Sequence, residues 1–156
     1  MKKIKNLLKK QKGFTLVELL AVIVILGIIA AIAIPSIGNI IDNSKKDAHV
    51  ANAEMLIEST RLAVAANEYD LPTAEGDTVK IKMSTLVTDG YLEHAIIDPD
   101  TNEPYTTGIV TITKGASGYS YSVTLQGEKR SINNVLSSDL GREKVKNTAK
   151  ATTPEG

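Results

Sequence analysis

The chain has 156 residues, and its lack of cysteine excludes a disulfide framework, a thiolate metal site and a cysteine nucleophile. Its 18 basic and 18 acidic side chains cancel, but residues 1–13 hold six lysines and no acid, so the rest carries 12 basic (18 less 6) against 18 acidic groups, a net of −6. Such a body argues against nucleic-acid binding through a broad basic face.

Residues 1–13 form a basic leader ahead of an apolar run, the charge bias that holds a segment's start in the cytoplasm. Leu19 to Ile41 contains no charged side chain, 23 residues or roughly 34 Å of helix, about a bilayer's hydrocarbon core. Three features of its beginning are not generic. Gly13 closes the leader, Phe14 follows directly, and Glu18 places a lone carboxylate where insertion costs roughly 2.5–3.5 kcal/mol. An ordinary secretory signal, with a small-x-small site at Ala31-Ile32-Ala33, explains the leader but not Glu18. A plain anchor helix explains the length but not Gly13, Phe14 or Glu18. Gly27 and Pro35 are weak points within the run, since proline removes a backbone donor and clashes with the carbonyl of Ala31, at about 3 kcal/mol.

The order of basic leader, Gly13, Phe14, Glu18 and apolar run resembles the class III signal peptide of type IV prepilins, of the Gram-positive type given the missing cysteines. That resemblance implies cleavage between Gly13 and Phe14 by a prepilin peptidase, followed by N-methylation of Phe14. It implies assembly through Phe14 and Glu18, with the Glu18 carboxylate meeting the Phe14 amine of a neighbouring subunit. It also implies a kinked or locally melted helix between Gly27 and Pro35 in the filament. Further partners would be the membrane before assembly, copies of the same chain in a helical filament, an inner-membrane platform and its ATPase.

Residues 42–69 turn polar but keep helical spacing. Ala48, Ala51, Met55, Leu62, Ala66 and Tyr69 form one apolar stripe, and Val50, Ala53, Ile57 and Val64 a second. Two stripes imply two partners, the chain's own head and a neighbouring subunit, unless they merge into one wide buried face. The helix is expected to end near residues 67–70, stopped by Leu71-Pro72.

Residues 70–136 read as a β-rich head. A short strand is expected over residues 78–83, then a helical turn capped by Ser84 and ended by Asp89-Gly90. After the loop Asp98 to Gly108 come strands over 109–114, 119–125 and 130–136, joined by turns at Lys114 to Gly118 and at Gln126 to Lys129. This is an antiparallel meander of three or four strands whose apolar face lies on the helix: an α+β pilin fold, with a long N-terminal helix against a small sheet. Residues 137–156 form a tail in which 137–150 can make a short helix.

In the 98–108 loop, Asp98, Asp100 and Asn102 match the first ligands of a calcium loop, but Glu103 stands where glycine is required and Ile109 where the closing glutamate belongs. The loop also resembles the Asp-Pro…Pro-Tyr segment of major pseudopilins, some of which bind calcium there. A turn of solvated acids is the expectation, and His49 and His94, isolated in sequence, are expected to be solvated or locally hydrogen-bonded. No metal, no cofactor and no catalytic constellation are expected, so the chain reads as a structural protein and not an enzyme. The function implied is a subunit of a surface filament serving adhesion, twitching motility or DNA uptake. A major pseudopilin of a secretion or competence machine, or a membrane-anchored or secreted binding domain, are the alternatives.

Overall fold

The computed structural model describes residues 15–148; Gly13, Phe14 and the end of the tail lie outside that span. It divides into two units, residues 1–41 and 42–156, and helix α1 (Leu16–Ala65) runs through the boundary. In the first unit α1 is helical without interruption past Gly27 and Pro35. Its large apolar side chains are exposed from Leu16 to Ile41, more than half exposed at most positions. Among the described residues α1 is the one helix long and apolar enough to cross a membrane.

In the second unit one face of α1 is buried. His49, Ala53, Leu56, Ile57, Thr60 and Ala63 are enclosed, with Val50 and Val64 packed beside them, while Ala51, Met55, Leu62 and Ala66 are exposed. The stripe through Ala53 and Ile57 therefore belongs to the head, widened by Leu56 and Ala63. The stripe through Met55 remains open. The helix ends at Ala65, two residues before the expected range of 67–70, and Leu71-Pro72 is not what stops it. Asn67 adopts a left-handed conformation (φ 59°), its N–H reaches the carbonyl of Val64, and the N–H of Glu68 reaches that of Ala63. These two bonds form a Schellman closure with asparagine in the place glycine usually takes.

The sheet has five strands in sequential order, all antiparallel: β1 (Thr78–Lys82), β2 (Thr107–Gly115), β3 (Gly118–Gln126), β4 (Arg130–Leu136) and β5 (Lys146–Asn147). It is one strand larger than expected. Residues 137–148 do not form a helix; two 3-10 turns, Ser137–Asp139 and Arg142–Lys144, lead into β5, which pairs with Arg130 and Ser131. A helix there would have had little to bury, whereas Val145 now sits in the core at 5% exposure. Alternation decides the faces: Val110, Ile112, Val123, Leu125 and Ile132 point into one core with α1, and Thr111, Thr113, Ser120 and Thr124 point away. Strand β4 is bulged against β3. Register shifts between Val123 and Leu125, Asn134 takes φ 48°, and its N–H donates to the Thr124 hydroxyl. Short helix α2 (Met83–Thr88) follows β1 directly; Lys82 is its N-cap with no side-chain bond, so Ser84 does not cap it.

The end of α1 is tied to the end of α2 by the Tyr69 hydroxyl, which donates to the Asp89 carboxylate. Burial, then that bond to an anion, pushes the Tyr69 phenol up to about 12. A raised folded value means the fold prefers the neutral phenol, so this contribution is complete below about pH 10 and disappears as pH climbs through 12. Tyr69→Phe should flatten the alkaline loss of thermal stability between those limits. In the same detergent-solubilised protein, Asn67→Ala should cost about 1–2 kcal/mol through left-handed strain, and Asn67→Gly should cost nothing; melting followed by circular dichroism checks both.

Candidate assembly site and a buried polar cluster

The N-terminal site is built on the first turn of α1. Thr15 accepts the N–H of Glu18 on its hydroxyl oxygen at 3.2 Å, and the Glu18 carboxylate accepts the Thr15 N–H at 2.8 Å and its O–H at 2.9 Å. The Thr15 carbonyl takes the first intrahelical bond, from Leu19. This is a capping box, in which each residue satisfies an otherwise orphaned donor of the other. The spacing Thr15-x-x-Glu18 is legible in the sequence as a cap signal, and reading Glu18 only as an intermolecular group misses it. Both residues are exposed, and Glu18 is the single charged side chain between residues 14 and 41. Gly27 has open space around it, so nothing in this chain requires a glycine there.

A second cluster lies in the other unit, where the sequence promised a solvated turn. Asp98 is 1% exposed and His49 is fully buried, and the side chain of Asp100 is 3% exposed. The 98–105 loop folds on itself: the Asp98 N–H donates to the Glu103 carbonyl, Ile97 bridges Pro104, and the Asp98 carboxylate accepts the Asp100 N–H at 2.8 Å. Asn102, at φ 61°, makes the tight reversal. The folded loop docks on α1 through Asn52, which donates to the Ile97 carbonyl at 2.9 Å, and through Tyr105, whose hydroxyl lies 2.6 Å from Nδ1 of His49. With the Tyr105 hydroxyl donating to Nδ1, the neutral ring donates through Nε2 to Asp100 at 3.0 Å. The other Asp100 oxygen is held by Arg130 at 3.1 Å and approached by Lys45 at 3.5 Å, and Arg130 also pairs with Asp42. Burial works to raise the Asp100 carboxyl, but the His49 bond and the Arg130 cation outweigh it and hold it below its usual value.

His49 is thus neither solvated nor locally bonded: its partners are about fifty residues away. No local pattern announces this, because the contacts exist only once the loop returns to the helix. His94 is exposed, as expected. His49, Asp98 and Asp100 bring one ligand atom each to within 4.8 Å of one another, the donor set in the described residues that could hold a metal.

Arg130→Leu should cost about 3 kcal/mol, because it strips a buried carboxylate of its best cation. Arg142→Leu is the control: its pair with Asp47 is about half exposed on both sides and should scarcely move the melting temperature.

Residues 8–34 match the family model for the prokaryotic N-terminal methylation motif. The type IV major fimbrial protein FimA of Dichelobacter nodosus is 29% identical over 81% of this chain and 82% of its own length. Fimbrial protein EcpC of Eikenella corrodens is 29% identical over 72% of this chain and 69% of its own. The type IV major pilin protein PilE of Neisseria gonorrhoeae is 30% identical over 78% and 66% respectively. No solved structure matches significantly. These relatives are pilus subunits and not enzymes, which favours the filament reading over a pseudopilin or a stand-alone binding domain; none supports a Gram-positive type. With its methylation motif, apolar helix and sheet-bearing head, the chain belongs to the type IV pilins, the structural subunits of type IV pili.

Proposed function

We propose that the chain is cut between Gly13 and Phe14 by a prepilin peptidase, N-methylated on Phe14, and held by residues 14–41 as a single membrane span with its head outside. The helix continues from residue 42 to Ala65 into the head, whose sheet reaches Asn147. An assembly platform and ATPase then move the subunit into a filament, whose use in adhesion, twitching motility or DNA uptake belongs to the polymer. The observation that carries this reading is Glu18, a lone carboxylate in an exposed apolar helix. Before assembly Thr15 keeps it hydrogen-bonded. Cleavage creates an amine four residues away, and in a helix array that amine and a neighbour's carboxylate satisfy each other in one axial register. Gly27 and Pro35 give the helix a segment that can loosen as it packs, starting from the uninterrupted helix of the free chain.

Intact-mass analysis of the protein sheared from cells should give a start at N-methyl-Phe14; a start at Ile34 or at Met1 would overturn the processing step. Glu18→Ala should leave insertion and cleavage intact and reduce filaments at least tenfold by shearing yield. Thr15→Ala removes the capping hydroxyl but keeps the carboxylate, so it should still assemble. Equal loss in both variants would mean that the cap, and not the intermolecular pair, is what assembly needs.

A further inference from the structure

Asp98 lies within the His49 and Asp100 cluster and is 1% exposed, yet its Oδ2 has no hydrogen-bond partner among the described residues. A buried anionic oxygen without a partner is costly, and folds rarely retain one. Its position is enforced from behind. A Cβ added to Gly127 would come within 2.2 Å of that oxygen, so the carboxylate sits against a backbone that only glycine leaves bare. Glycine at 127 reads in the sequence as a turn residue; its closer constraint is Asp98.

His49 faces the other oxygen of that carboxylate, Oδ1, which also accepts the Asp100 N–H, so a cation bound there would neutralise the carboxylate to which Oδ2 belongs. Nε2 lies 3.7 Å from Oδ1 of Asp98 and 3.0 Å from Oδ2 of Asp100. Tetrahedral ligands at the zinc distances of about 2.0–2.1 Å are about 3.3 Å apart, between these two separations. We propose that His49, Asp98 and Asp100 form a binding site for a divalent cation of the zinc class. One imidazole nitrogen and two carboxylates suit such an ion, and calcium, which takes six to eight oxygens, is not the match. The outer contacts fit as well. With Nε2 on the metal, Nδ1 carries the proton and donates to the Tyr105 oxygen at 2.6 Å, the kind of bond that orients a ligating histidine. Arg130 and Lys45 occupy Oδ1 of Asp100, leaving Oδ2 to the metal, and their charge lowers the affinity without removing a ligand. Bound metal would join α1 at residue 49 to the 98–105 loop. This site is independent of Glu18 and of the assembly reading.

The test uses the full chain in detergent, freed of metal with a chelator, and zinc chloride or cobalt chloride as the probe. One equivalent of zinc should bind saturably and raise the melting temperature by about 4 °C or more. Cobalt should give the intense visible absorption of a tetrahedral site. His49→Gln and Asp98→Asn should each abolish both signals, while His94→Ala keeps them. Asp98→Asn removes a buried charge lacking a full set of partners, so its metal-free form should melt no lower than the parent, showing that lost binding is not lost folding. Absence of saturable binding would overturn the proposal. So would binding that survives in His49→Gln, or that is lost in His94→Ala.

Discussion

Apolar side chains exposed from Leu16 to Ile41 set the terms for everything else in this protein. Water tolerates such a surface poorly, so the segment needs lipid or other apolar helices around it. One element thereby serves as anchor and as polymer contact, because either environment hides the same side chains. What distinguishes the two environments is charge. Lipid cannot neutralise a carboxylate, whereas a neighbouring chain with a free amine can. In the proposed assembly Glu18 therefore carries information that the apolar residues around it lack, and until then its carboxylate is bonded to Thr15.

The head follows a different logic. Its core is small and aliphatic, built from one face of α1 and one face of a five-stranded sheet, with Tyr105 the one tyrosine among the described residues buried below one-tenth exposure. Polar contacts complete what so modest a core leaves undone. The loop at residues 98–105 is held to the helix by His49, Asn52 and Arg130, and the chain beyond β4 is held by β5 and by Val145 in the core. That hold is a two-strand edge and one buried valine, and it is reversible.

The long helix and the hairpin from β2 to β3 were legible because their signals are local: an uncharged run long enough to span a bilayer, and alternation on both sides of Lys114 to Gly118. The buried cluster was not legible. Asp98, Asp100 and His49 are polar residues whose burial depends on partners about fifty positions distant, and hydropathy patterns carry no trace of such pairing. Asn67 and Asn134 show a milder form of the same limit. Each takes a left-handed conformation that glycine would have advertised, so the helix end was placed too late and the bulge in β4 went unread. The capping box at Thr15 and Glu18 could have been read from spacing alone.

Sheet order has a consequence for how a self-associating protein avoids the wrong polymer. The outermost strands are β1, five residues long with Lys80 and Lys82 exposed, and β5, only two residues long. Unpaired strand edges are the easiest route by which concentrated chains join, through backbone bonds that respect no particular partner. Subunits packed side by side experience such concentrations permanently. Short, lysine-bearing edges keep strand addition unattractive, so that growth is left to the helix, where register can be specified and, in principle, undone.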